Sequence, residues 1–112
     1  MKSGLSLLAA AAAALVLSLP AAAAPDADAA QKLAKDSGCT KCHTVDKSKK
    51  GPSYQKIAAK YKGKGDAVTV VTNQITKAPK VKFADGSEDT HDVVESKDPA
   101  AIKNLVDFIL AQ

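Results

Sequence analysis

Two thiols stand three residues apart at Cys39 and Cys42, and an imidazole follows directly at His43. Such a trio can do three kinds of chemistry: close on a zinc ion, cycle between dithiol and disulfide, or add across the two vinyl groups of one porphyrin. A structural zinc ion wants four ligands, and outside this cluster the chain offers only His91 and carboxylates, with no second cysteine pair. A dithiol redox pair belongs to a strand–helix–strand setting, and the chain shows no such alternation. The porphyrin reading accounts for the histidine as well as the thiols. In Cys39-Thr40-Lys41-Cys42-His43, each sulfur forms a thioether with one vinyl group, and the imidazole is carried under the iron as an axial ligand. One covalent haem c, held by Cys39 and Cys42 with His43 on the metal, is the expected cofactor.

Short helices must position this motif. Ala27 to Asp36 sets Ala30, Leu33 and Ala34 on one face, with Asp26 or Asp28 at its start. Ser37-Gly38 ends it, and Gly38 allows a sharp turn into Cys39. Thr44 to Lys50 is a polar loop, and Gly51-Pro52 is a turn before Ser53, a good N-cap residue. Tyr54, Ile57, Ala58 and Tyr61 recur at helical spacing until Gly63-Lys64-Gly65 interrupts them. Asp66 is expected to cap a third helix, Ala67 to about Lys77, with Val68, Val71 and Ile75 along one side. Its β-branched run would also suit a strand, but no partner strand is evident. After Ala78-Pro79, Lys80 to Lys97 is polar and aperiodic, which predicts a long loop. Asp98-Pro99 opens a last helix with Ile102, Leu105, Phe108 and Ile109 on its apolar face. The expectation is an all-α domain of about four short helices without a sheet.

The beginning of the chain has another purpose. Lys2, the alanine- and leucine-rich stretch Leu5 to Leu19, the break at Pro20 and the small residues Ala21 to Ala24 make a secretory signal peptide. Residues 1–24 are expected to be removed by a cut after Ala23 or Ala24, leaving 25–112 as one domain in the periplasm. The apolar stretch is shorter than the ~20 residues of a spanning helix, so no stable membrane insertion is expected after cleavage. That domain has no tryptophan and two phenylalanines, a thin apolar core that a buried porphyrin would complete. Without it the polypeptide is expected to fold poorly.

All positive charge comes from lysine, and the loss of Lys2 lowers the formal net charge from +4 to +3. The absence of arginine and of interleaved aromatics excludes an ordinary nucleic-acid binder. Lys41, Lys47, Lys49 and Lys50, then Lys56, Lys60, Lys62 and Lys64, cluster around and after the haem motif. They are either a solvated face or a ring that steers the protein onto acidic redox partners.

The order of these features resembles the small bacterial class I cytochromes c of the c-551/c-552 kind. A short helix runs into CTKCH, followed by Gly51-Pro52-Ser53-Tyr54, the run QKIAAKYKGK, a further helix, a ligand loop and a last helix ending in LVDFILAQ. A motif at the start of the domain separates the chain from the cytochrome c′ type, in which it lies near the C-terminus. The resemblance implies the class I fold around one haem, a monomer, and packing of the Leu33–Ala34 side of the first helix on Leu105, Phe108 and Ile109. It also implies that the Pro52 carbonyl accepts a hydrogen bond from the His43 imidazole, fixing its orientation.

One departure changes the chemistry. The sixth ligand in that family is a methionine before the last helix, and the only methionine here is Met1. His91 is the only other histidine and lies seven residues before Asp98, at the corresponding place. An isolated histidine in a polar stretch is ordinarily a solvated one, but here it stands where a ligand is missing. His43 and His91 are therefore the expected metal ligands. Imidazole in place of thioether favours ferric iron and lowers the potential, and Glu88, Asp89 and Asp92 push the same way. The expected function is electron transfer by a periplasmic monohaem cytochrome that is not an enzyme. The alternative is a gas-binding or sensing haem protein for nitric oxide, oxygen or carbon monoxide, with His91 off the iron. A multihaem peroxidase would need a second CxxCH, which the chain lacks.

Overall fold

The computed structural model describes residues 11–16 and 24–112. The expected signal segment, with its cut after Ala23 or Ala24, lies outside the described residues apart from 11–16 and Ala24, which are exposed. Among the described residues, no helix is long and apolar enough to cross a membrane.

Helix α1, Ala27–Asp36, starts where the Asp26 carboxylate accepts the Ala29 N–H at 3.0 Å. Ala30 and Ala34 are buried on one face, one turn apart, while Leu33 is only half-buried. Small side chains on that face allow close approach of a second helix. After a 3-10 turn over Cys39–Lys41 come α2, Tyr54–Tyr61, and α3, Ala67–Thr76. The last helix, α4, spans Pro99–Leu110 and packs on α1, α2 and α3. Its Leu105, Val106, Phe108 and Ile109 form the centre of the core. Two hydrogen bonds fasten α1 to α4: the Asp26 N–H donates to Asn104 Oδ1 at 2.8 Å, and Asn104 Nδ2 donates to the Asp26 carbonyl at 2.9 Å. The expected pairing of first and last helices is present, but Ala30 and Ala34 carry its burial rather than Leu33. Val106, off the predicted stripe, is fully buried, whereas Ile102 on it is half-buried.

Capping fixes two other boundaries. Ser53 Oγ accepts the Lys56 N–H at 3.1 Å at the start of α2, and Asp98 accepts the Ala100 N–H at 3.0 Å ahead of Pro99. Asp66 stands at the head of α3 but its side chain makes no capping bond, contrary to expectation. Val71 and Ile75 are buried, while Val68, expected on the same side, is 44% exposed. The β-branched run nevertheless forms a helix, because α4 gives its buried face a partner.

The largest correction lies between Lys80 and Lys97. Its first half is an antiparallel hairpin, not a loop: β1, Lys80–Lys82, pairs with β2, Glu88–Thr90, with Val81 opposite Asp89. Ala78, at φ 48, turns the chain out of α3 into β1. The hairpin tip is closed by a 2.8 Å bond from the Phe83 N–H to the Ser87 carbonyl, and Gly86 sits at φ 86. Ser87 donates to Asp85 Oδ1 from both its backbone N–H and its hydroxyl. These bonds and nearby Lys50 hold the Asp85 carboxyl below its ordinary value.

Candidate functional site

Gly38, at φ 77, swings the chain from the end of α1 into Cys39. The Cys42 and His43 N–H groups both donate back to the Cys39 carbonyl, at 3.1 and 2.9 Å. This single turn winds Cys39, Cys42 and His43 around one backbone oxygen. Both thiols are half-buried and free of any disulfide. Burial holds the Cys39 thiol above its ordinary value, the opposite of the lowered value that a dithiol redox pair uses. Among the described residues, no three His, Cys, Asp or Glu side chains converge as a metal ion held by protein alone would need.

His43 is held on two sides. Its Nδ1–H donates to the Pro52 carbonyl at 2.6 Å, the contact expected from the resemblance. The ring stacks on Tyr54 at 5.9 Å between centroids, and Tyr54 meets Phe108 of the core edge-on at 6.2 Å. Gly51 leaves the room, since a Cβ there would lie 2.5 Å from His43 Cε1. Burial lowers the proton affinity of His43 from its ordinary value, more than the Pro52 bond restores, and His91 lowers it further. A neutral ring with its proton on Nδ1 presents the Nε2 lone pair for a metal.

The hairpin delivers His91 to the same place. Its N–H donates to the Pro79 carbonyl at 2.8 Å, and three residues on, the Val94 N–H donates to the Ile75 carbonyl at 2.9 Å. His91 Nδ1–H donates to the Asp92 carbonyl at 2.7 Å, so here too Nε2 is the free nitrogen. The two ring centroids are 6.2 Å apart with planes inclined at 40°. Two imidazoles on opposite sides of one metal ion, each at about 2 Å, set their centroids about 6 Å apart. The fold thus brings together two imidazoles that lie 48 positions apart in sequence.

Residues 27–112 match the family described as Cytochrome c. The chain belongs to the cytochrome c family. This family binds one haem c covalently through its cysteine pair, and Cys39 and Cys42 have that spacing. The fold is similar to that of the class 1 cytochrome MtoD from Sideroxydans lithotrophicus ES-1, with 52% identity and a TM-score of 0.75 over 79% of this chain and 97% of that one. Cytochrome c552 from Nitrosomonas europaea gives 32% identity and a TM-score of 0.55 over 71% and 95% of the two chains. Cytochrome c-551 from Pseudomonas denitrificans is 44% identical over 40% of this chain and 55% of its own length, and cytochrome c-552 from Hydrogenobacter thermophilus is 43% identical over 42% and 48%. The chain thus spans about half the length of these curated relatives. The four helices, the family match and the likeness to a class 1 cytochrome agree with the class I fold, and the chain also carries the small two-stranded hairpin.

The residues present fit a haem c in this cytochrome. The two free thiols would hold it, the two imidazoles have Nε2 free to donate to a metal, and half-buried Val45, Ile57, Tyr61 and Val94 against the core would wall it. Tyr54 adds a feature that its place on an apolar stripe does not announce. Its hydroxyl is buried without a partner among the described residues, and burial pushes its pKa up to about 12. A buried hydroxyl beside His43 would be satisfied by a polar group of a bound cofactor.

Two more residues tie the elements around this region together. Phe83 is half-buried with Lys50 Nζ 4.5 Å above its ring, which joins the hairpin to the loop after the haem motif. Ser37, 7% exposed, accepts the Glu95 N–H on Oγ at 2.9 Å and so ties the segment after His91 to the residue before Gly38. Ser37→Ala removes that acceptor from a part-buried donor and should cost about 1–2 kcal/mol. Amide hydrogen exchange should then quicken first across 92–96, and a uniform change over the whole chain would refute the tether.

Proposed function

We propose that this cytochrome is an exported, periplasmic electron carrier with no catalytic role. In this reading its haem c is bonded to Cys39 and Cys42 and its iron is ligated by His43 and His91. The observation that carries the reading is the pair of imidazoles 6.2 Å apart, each with Nδ1 committed to a backbone carbonyl. When bound, the haem would supply a one-electron couple, and with His43 and His91 both on the iron no site would be left for oxygen chemistry. The polypeptide orients both rings through Pro52 and Asp92 and walls the group with apolar side chains. Imidazole in the sixth position favours the ferric state, so the potential falls below that of methionine-ligated relatives.

Export rests on the composition of residues 1–24, and the working unit is a monomer. Lys41, Lys47, Lys49 and Lys50 are exposed around the haem motif and would meet acidic redox partners. Ferric and ferrous spectra of the purified holo-protein test the ligand set. Low-spin bands in both states and indifference to carbon monoxide are expected. Rapid carbon monoxide binding by the ferrous form would replace this reading with the gas-binding one.

A further inference from the structure

Beside the haem motif a surface groove runs between the end of α1 and the segment after His91. Its walls carry opposite charge. Lys35 and Lys41 line one side, and Asp92 and Glu95 the other, with Val93 between them. Asp36, also on the groove, is paired with Lys32 at 2.6 Å. The ion pairs among the described residues are Lys32–Asp36 and Lys103–Asp107, so among those residues Lys35, Lys41, Asp92 and Glu95 form no ion pair. Val93, in the acidic segment, is 45% exposed and adds apolar surface to the groove. The groove also borders both ends of the candidate redox site, since Lys41 lies between the two cysteines and Asp92 follows His91.

We propose that this groove is where a second copy of the same chain docks for electron self-exchange. A twofold axis along the groove, between its walls, would bring the basic wall of each copy onto the acidic wall of the other, so the same attraction forms twice. A strictly acidic partner would use the lysines but leave Asp92 and Glu95 facing like charge. The contact is small, which suits a brief encounter rather than a stable dimer. In each encounter one electron passes from the ferrous haem of one copy to the ferric haem of the other, and no bond or proton moves. This inference rests on the electron-carrier reading and adds the surface through which the carrier meets itself.

The sign of the salt effect tests it. Two copies with formal charge +3 over residues 25–112 should repel, and added salt should then speed their encounter. Complementary walls reverse this. Self-exchange in mixed ferric and ferrous holo-protein, measured by NMR exchange spectroscopy, should slow about fivefold from low salt to about 0.5 M. Lys41→Glu and Glu95→Lys should each abolish the slowing when studied alone. Cross-exchange between the two variants, corrected for their difference in potential, should restore it, because the reversed charge on the basic wall of one would then face the reversed charge on the acidic wall of the other. A rate that rises with salt, or a mixed pair no faster than either variant, overturns the proposal. Docking can also be read without electron transfer, from concentration-dependent amide shifts in the all-ferric protein. Shifts confined to 35–41 and 92–95 support the surface even if the electron-carrier reading fails, and their absence there refutes it.

Discussion

Replacing His91 with alanine is expected to leave haem covalently attached but to turn the ferrous protein high-spin and open to carbon monoxide. The two thiols and His43 belong to the turn after Gly38, which the substitution does not touch. His91 arrives separately, at the end of β2, held through Pro79 and through its own Nδ1–H to the Asp92 carbonyl. No other histidine lies outside the motif, and no methionine occurs among residues 2–112. His91→Ala therefore removes the proposed sixth donor, and no other histidine or methionine can replace it. His91→Met makes the complementary test. Where the hairpin lets sulfur reach the metal, the potential should rise by on the order of 0.1 V, a modest part of the range that axial ligands command. An alanine variant whose spectrum, potential and carbon monoxide response match the parent would show that His91 never bound the iron.

That substitution concerns the part of the site that sequence reveals, because types and spacing alone carry it. Cys39, Cys42 and His43 are adjacent, and His91 stands out by being solitary in a chain with no competing ligand. Helix starts were legible for the same local reason: Asp26, Ser53 and Asp98 each cap through a bond to a residue two or three positions on. The hairpin was not. Its strands are three residues long, exposed along most of their length, and rich in charge, so neither periodicity nor apolar content marks them. What fixes it is the turn chemistry of Asp85, Gly86 and Ser87. Val68 and Val106 departed from their expected burial because period alone cannot say how wide a helix face its neighbours cover. Ser37 and Tyr54 act through partners 58 and 54 residues away, Glu95 and Phe108, and only the folded chain brings those together.

Gly51→Ala should damage the site more than any other single methyl group added to this protein. The new Cβ would lie 2.5 Å from His43 Cε1, 2.9 Å from Nδ1 and 3.0 Å from Nε2, overlapping the imidazole around Cε1. The ring has nowhere easy to go, since Nδ1 is bonded to the Pro52 carbonyl and one face is stacked on Tyr54. Gly51 cannot retreat freely either: its N–H donates to the Cys42 carbonyl at 2.8 Å, and its own carbonyl accepts the Lys49 N–H at 3.0 Å. Overpacking of this kind costs about 1–3 kcal/mol, here concentrated on the proximal ligand. The ferric holo-protein should melt several degrees lower and show a weakened low-spin spectrum. Gly65→Ala is the matched control, because a Cβ there meets nothing within 4 Å and Gly65 does not adopt a positive φ. Its effect should be neutral or stabilising by up to about 1 kcal/mol through the unfolded chain. Equal losses from the two substitutions would mean that glycine content, rather than the space beside His43, governs stability. A parental spectrum and melting point in Gly51→Ala would mean that the imidazole does not sit against the turn that carries Pro52.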